Sequence, residues 1–281
     1  MIFSNIIKRQ NKIVFNTVNL KFIACFCMLL DHIGSIISSQ IELITGFDIS
    51  HISFVYTQAG EQIGFNFDFI YAVGRIAFPI FCFQLAEGCK YTKDMKKYFL
   101  RLMLFAFISQ PIFAFAHEQS IFNELNVIFT LASSVLCISI IKLISSKNIK
   151  NYIKYILYTL SVCVIYFITF LFQMEYWQLG IPFILGLYLL NNRKKQVVLT
   201  FLFLFVLYFL YTGWNGSTFQ WLQHWTIFVD YLFTLIISSA SLFFIKHYEY
   251  SKIKYNKYWF YIFYPAHLFV LCVIRQLISL I

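Results

Sequence analysis

The sequence predicts an all-α polytopic membrane protein of about nine transmembrane helices, forming a single domain over residues 1–281. Three observations predict it. Of the 281 residues, 60% are hydrophobic and only 12% are charged, too little polar surface for a water-soluble domain of this length. The apolar residues gather into stretches about as long as a bilayer is thick. The basic residues between those stretches occupy alternate connections. The 35 Phe and 19 Tyr fit the same picture, since amphipathic rings favour the membrane–water interface.

The first sixteen residues, MIFSNIIKRQNKIVFN, mix basic and apolar positions and suit a short amphipathic helix on the inner surface. The apolar run that follows is interrupted by Asp31-His32 and lacks a small-x-small cleavage site. It therefore reads as a first membrane span near 20–38 and not as a cleaved signal peptide. Further spans are predicted near 67–88, 98–115, 126–143, 153–172, 179–190, 197–211, 225–245 and 258–280. The stretch 179–190 is short for a crossing and is expected to be broken or re-entrant.

Charge sets the orientation. Lys and Arg occupy 1–21, 90–101, 142–154, 193–195 and 246–257, whereas the connections near 39–66, 116–125, 173–178 and 212–224 contain neither. The second group carries Glu42, Asp48, Glu61, Glu118, Glu124 and Glu175. Basic loops face the cytoplasm, so the N-terminus is expected inside and, with nine spans, the C-terminus outside. The net charge of +10 is thus a set of loops facing anionic lipid, not a stripe for nucleic acid. The seven cysteines lie in or at apolar spans with no C-x-x-C and read as small buried hydrophobes. No metal site is expected. Motifs for P-loops, zinc proteases and Rossmann domains are absent.

Every Lys and Arg except Arg75 and Arg275 falls in a cytoplasmic loop. Among the acids, Asp31, Glu87 and Asp230 fall within spans. Ionisable groups in a bilayer are costly unless paired or hydrated, so each is a functional candidate. At about 1.5 Å per residue, Asp31, His32 and Arg75 lie about 15–20 Å from the inner face, with His267 at a similar level. They are expected to converge inside the bundle, with an Asp31–Arg75 ion pair as the plain structural alternative. Glu87 lies beside the basic loop with Lys90 or Arg101 within reach, Asp230 reaches interfacial water, and Arg275 is placed to snorkel outward. Gly34 and Gly74 permit close helix approach, and Pro79 and Pro265 bend their helices. His32, an imidazole adjoining a carboxylate, is the minimal kit for general-base or nucleophilic chemistry. Adjacent helical positions diverge by about 100°, so Asp31 is expected to face another helix and not to orient His32.

The segments LKFIACFCMLLDHIG (20–34), GRIAFPIFCFQLAEG (74–88), YFLRLMLFAFISQP (98–111), LNVIFTL (125–131) and FYIFYPAHL (260–268) together resemble the TraX family, named for a conjugation protein that acetylates F-type pilin. The resemblance spans nearly the whole chain and thins between about 145 and 255. It implies a polytopic acetyltransferase of the bacterial inner membrane, distantly similar to the membrane acyltransferases that modify surface sugars and lipids. By position, the family's hallmark residues fall on Asp31, His32, Arg75, Pro79, Glu87, Arg101, Gln110 and the Tyr264-Pro265-x-His267 group.

The resemblance implies acetyl-CoA as co-substrate and an amine or hydroxyl of a membrane-embedded or exported acceptor. His32 would then be general base or transient acetyl carrier, with His267 the alternative base and Arg75 stabilising an oxyanion or holding Asp31 charged. Arg101, Lys97 and Lys93, with Glu87 and Tyr264, form the expected cofactor-contact set. Two other classes remain open on sequence: a transporter or flippase using the same buried Asp/Arg/His set, and a non-catalytic membrane scaffold.

Overall fold

A computed structural model describes residues 13–46, 48–49, 52–58, 61–212, 225–251, 253, 256 and 258–280. Each apolar stretch read from the sequence is helical. In chain order the helices are α1 (Thr17–Thr45), α2 (Phe69–Gly74), α3 (Ala77–Tyr91), α4 (Met95–Ala116), α5 (Val127–Ser145) and α6 (Asn151–Leu171). They continue with α7 (Trp177–Leu189), α8 (Arg193–Phe205) running into a π-helical segment (Val206–Thr212), α9 (Trp225–Ser238), α10 (Ala240–Lys246) and α11 (Tyr258–Ile278).

Two features stand apart from the expected architecture. The chain is not purely helical: between α1 and α2 lies an antiparallel hairpin of β1 (Ile52–Gln58) and β2 (Glu61–Phe67), pairing Ile52 with Phe67 through to Gln58 with Glu61. Both strands are rich in the β-branched and aromatic residues that favour a pleated ladder. Second, against the nine expected crossings, seven segments among the described residues are long and apolar enough to cross a bilayer. These are α1, α2–α3 together, α4, α5, α6, Ile227–Lys246 (α9–α10) and α11. At 13 residues each, α7 and the α-helical part of α8 reach only about 20 Å. Residues 1–12 of the expected surface helix lie outside the described residues, and 13–16 are not helical.

Apolar side chains cover the outside of the bundle, as lipid requires. Phe107 is 63% exposed and Tyr155 67%, and α6 buries only Ile165 and Thr169 along its length. Helix α1 packs against α2, α3 and α11, α11 against α4, and α4 against α5. Helix α7 is buried between α3 and α5, with Ile181, Ile184 and Leu187 fully enclosed.

Polar residues start the helices. Asn16 accepts from Val18 N and Asn19 N, Asp94 from Lys97 N, Asn126 from Ile128 N and Asn192 from Lys194 N, at 2.9–3.0 Å. Each such cap contributes about 1 kcal/mol. Pro79 explains the break between α2 and α3, because its ring excludes the carbonyl four residues back, that of Arg75. Pro182 likewise frees the Gln178 carbonyl, and the Tyr166 hydroxyl donates to it at 3.2 Å.

The two ends of the bundle are tied differently. At the basic end Phe15 pairs with the chain at 247–249 through two 3.0 Å backbone bonds, and Glu87 holds Lys90 at 3.0 Å and Arg193 at 3.6 Å. At the acidic end Gln110 donates to the Ile121 and Glu124 carbonyls at 2.7 and 2.8 Å and accepts from Asn126 N. Arg275 caps α4, donating to the Ala116 and Phe115 carbonyls at 2.8 and 3.0 Å and pairing with Glu118 at 3.2 Å. The expected outward snorkel of Arg275 is thus replaced by a buried cap, since the orphan carbonyls of α4 lie beside it.

The connection 173–176 is drawn into this end. Glu175 N donates to the Leu125 carbonyl at 2.8 Å, and the Glu175 carboxylate accepts from Val127 N at 3.1 Å, at the start of α5. Burial pushes the Glu175 carboxyl up to about 8, and the charges of Glu124 and Asp31 push the same way. A carboxyl raised in the fold from 4.5 to about 8 stabilises the fold below its ordinary value and loses that contribution as pH rises through about 8. Thermal midpoints in detergent should therefore fall for the wild type between pH 5 and 9, and Glu175→Gln should flatten that slope. Parallel slopes would show that Glu175 does not carry the effect.

Helices α1 and α2 cross at their glycines. A Cβ on Gly74 would overlap the Asp31 side chain, 2.8 Å from its Cγ, and one on Gly34 would lie 3.2 Å from Ile70 Cγ2. Gly74→Ala is expected to destabilise the protein by about 1–3 kcal/mol, the usual cost of overpacking. Asp31→Gly in the same chain, which removes the Asp31 Cβ as well as its carboxyl from the added methyl, should recover part of that loss in a double-mutant cycle of unfolding midpoints, and additive losses would refute the overlap.

Candidate active site

Helices α1 and α11 bring two imidazoles together. His32 Nδ1 and His267 Nε2 are 2.7 Å apart, and both residues are buried. His267 Nδ1 lies 2.7 Å from the Phe263 carbonyl one turn back in α11. A carbonyl only accepts, so His267 carries its hydrogen on Nδ1 and its Nε2 accepts. His32 Nδ1 is then the donor to His267, and the lone pair of His32 is left on Nε2. The chain of two bonds fixes both the ring orientation and the tautomer of His32. Both nitrogens of His267 are thus engaged, one with His32 and one with the Phe263 carbonyl.

The other expected residues assemble around this pair. Asp31 packs on Gly74, and its Oδ1 is sealed from solvent without a hydrogen-bond partner. No ion pair joins Asp31 to Arg75 among the described residues. Instead Arg75 Nη1 donates to the Tyr176 hydroxyl at 2.8 Å. Arg75 follows directly on the last turn of α2, where the chain breaks ahead of Pro79. Tyr264 sits with the histidines, its ring centroid 6.1 Å from that of His32 and 5.7 Å from that of His267. Among the described residues its buried hydroxyl has no hydrogen-bond partner. The orphaned Tyr264 hydroxyl beside the two imidazoles marks a place that suits a polar ligand or water.

Tyr176 is held in a left-handed conformation, φ 58°, which costs a non-glycine residue on the order of 1 kcal/mol. Its ring stacks on Phe78 with centroids 4.0 Å apart. Burial pushes its phenol up to about 12, so the hydroxyl stays neutral and accepts from Arg75. Arg75, Glu175, Tyr176 and Tyr208 line a cleft of about 510 Å³ whose wall also carries Asp68, Glu124 and Asp230. A second cleft of about 360 Å³ shares Glu124, Tyr176 and Gln178 with it. Burial raises Glu124 above the ordinary carboxylate range. Arg75 thus stands in a cleft whose other charged side chains are carboxylates.

The expected cofactor-contact residues do not form one group. Lys93, Lys96 and Lys97 are exposed at the basic end, and Arg101 lies over the Tyr98 and Tyr261 rings, its Nε donating to the Tyr261 hydroxyl at 3.3 Å. This cationic edge fits a polyphosphate. Glu87 is engaged with Lys90 and Arg193, which stacks over Phe83 at 4.5 Å, so it braces the fold at this end. Tyr264 belongs with the histidines. Among the described residues no three His, Cys, Asp or Glu side chains are grouped to hold a metal.

Sequence reading did not single out Tyr176, Tyr208 or His117 as site residues. The one available signal was the polar Glu-Tyr pair ahead of a short, interrupted apolar stretch. The path of that loop into the bundle has no periodicity to reveal it.

A family model described as TraX protein matches residues 17–275. The probable fimbrial assembly protein FimC, serogroup H1, of Dichelobacter nodosus is 28% identical over 110 residues, covering 36% of this chain and 44% of that protein. The match therefore spans less than half the length of that curated relative. No solved structure matches. The family match runs from the first residue of α1 to the arginine that caps α4, taking in His32, Arg75, Tyr176 and His267, and the chain belongs to the TraX family.

Proposed function

We propose that this chain is an integral membrane acetyltransferase of the bacterial inner membrane. It moves an acetyl group from cytoplasmic acetyl-CoA to an amine of an exported or membrane-embedded acceptor. The observation that carries the reading is the oriented His32–His267 pair, a buried base whose free nitrogen is set by a partner and a backbone carbonyl. Family membership supports the reaction class. The alternation of Lys and Arg among the loops supports a cytoplasmic basic end, where Lys93, Lys97 and Arg101 meet the phosphates of the donor.

The acidic cleft supports an amine over a hydroxyl. Asp68, Glu124 and Asp230 favour a cation, with the raised Glu175 carboxyl as a neutral hydrogen-bonding group beside them, and an acceptor amine arrives as an ammonium. His32 Nε2 removes a proton from it, and the neutral amine attacks the thioester carbonyl. The Tyr264 hydroxyl, which has no other partner, donates to the developing oxyanion. The C–S bond then breaks, and the sum is R–NH3+ plus acetyl-CoA giving R–NH–acetyl, CoA-SH and one proton. Arg75 and Tyr176, joined at 2.8 Å, hold the wall of the cleft that would admit the amine. The fimbrial relative supports a subunit of a surface fibre as acceptor.

The test is CoA release by purified protein in detergent, with a short peptide amine as acceptor. His32→Ala should lower turnover by about 10²–10⁴ with the protein still folded. His267→Gln retains an acceptor for His32 Nδ1 and should lose less than His267→Ala. A His32→Ala protein that turns over like the wild type removes the proposal. A folded wild type that consumes no acetyl-CoA shifts the reading to a proton-coupled transporter built on the same residues.

A further inference from the structure

His32 is 8% exposed, and each turnover of the proposed reaction leaves one proton that this base must pass on before it can act again. Its Nδ1 is committed to His267, whose other nitrogen is committed to Phe263, so the route through His267 ends at a backbone carbonyl. The proton has to leave from the Nε2 side of His32.

A third imidazole stands close to His32. The His117 ring lies edge-on to His32, with centroids 6.3 Å apart and an interplanar angle of 80°. That spacing leaves room for roughly one bridging water. His117 caps the C-terminus of α4, and its Nδ1 donates to the Phe113 carbonyl at 3.0 Å, which leaves the lone pair on Nε2. Unlike the other two histidines it is exposed, at the acidic end of the bundle. The charged and titratable groups facing it are His32 and Asp31 from α1 and Glu124 from the following loop. Its neighbour Glu118 is tied to Arg275 at 3.2 Å. Glu124 itself lines both clefts.

We propose that His117 is the proton outlet of the site, taking the proton from His32 Nε2 through water and releasing it at the acidic end. The inference rests on the acetyltransferase reading. No redox change is involved: one N–H bond breaks at His32, one forms at His117 Nε2, and bulk water or buffer takes the proton.

The experiment compares wild type, His117→Ala and His117→Gln in detergent, at low buffer concentration, with acetyl-CoA and triglycine as the acceptor probe. Release of the first equivalent of CoA is followed separately from the steady state. In His117→Ala the first turnover should keep its wild-type rate, the steady-state rate should fall several-fold, and added imidazole should restore it. His117→Gln, which cannot shuttle a proton, should behave like His117→Ala. An unchanged steady state, or a loss that includes the first turnover and resists imidazole, overturns the outlet and leaves acetyl transfer standing. Absence of CoA release from folded wild type defeats the acetyltransferase reading and takes the outlet with it.

Discussion

Two imidazole nitrogens 2.7 Å apart can hold only one hydrogen between them. That constraint organises the rest of the site. Because the Phe263 carbonyl takes the other hydrogen of His267, the shared one sits on His32 Nδ1, and which nitrogen of His32 is left free is determined by backbone geometry on a different helix. The usual device for orienting a catalytic histidine is a carboxylate. In this bundle the adjacent carboxylate, Asp31, is turned onto Gly74, and a neutral imidazole does the orienting. A neutral partner avoids burying a second charge beside the base, which in a bilayer is a large saving in desolvation.

The same economy governs the ends of the bundle. Lipid offers no hydrogen bonds, so backbone groups freed by prolines and helix termini find side chains within the protein. Tyr166 serves the carbonyl freed by Pro182, Arg275 serves the end of α4, and Gln110 with Asn126 folds the loop 117–126 against the bundle. Arg275 and Gln110 are among the polar residues that stand out in the sequence, and both are structural. Arg75 differs: it meets a phenol in a left-handed turn and lines a cleft. Polarity inside a membrane span identifies residues that matter, and the partner decides whether the role is support or chemistry.

What the sequence revealed follows from periodicity and charge. Helix positions are legible because apolar runs have lengths, and the convergence of His32, Arg75 and His267 is legible because rise per residue converts position into depth. The pairing of His32 with His267 was not, since depth brings residues to a level without saying which rings touch. Asp31 and Arg75 look like an ion pair by charge and depth, but the break at Arg75 turns the guanidinium to Tyr176. Tyr176 and His117 were hidden for a common reason: both lie at helix ends, where local bonds and not an apolar repeat set direction. The hairpin 52–67 was lost inside a long connection defined only by its lack of basic residues.

The polar groups of the bundle also fall into a sequence along its axis. From the basic end come Arg101 on Tyr261, then His267, His32 and the exposed His117 beside Glu124. Along α11, Tyr261 to His267 is about 9 Å of rise, and along α4, Arg101 to His117 is about 24 Å. By rise alone the histidine pair stands about 9 Å from the Arg101–Tyr261 contact, within reach of a donor at the basic end, while His117 continues the series toward the acidic end. Under the proposed acetyl transfer, the base has to stand where the acceptor loses its proton. The thioester, which is uncharged at its reactive end, is the partner that can enter furthest into an apolar bundle.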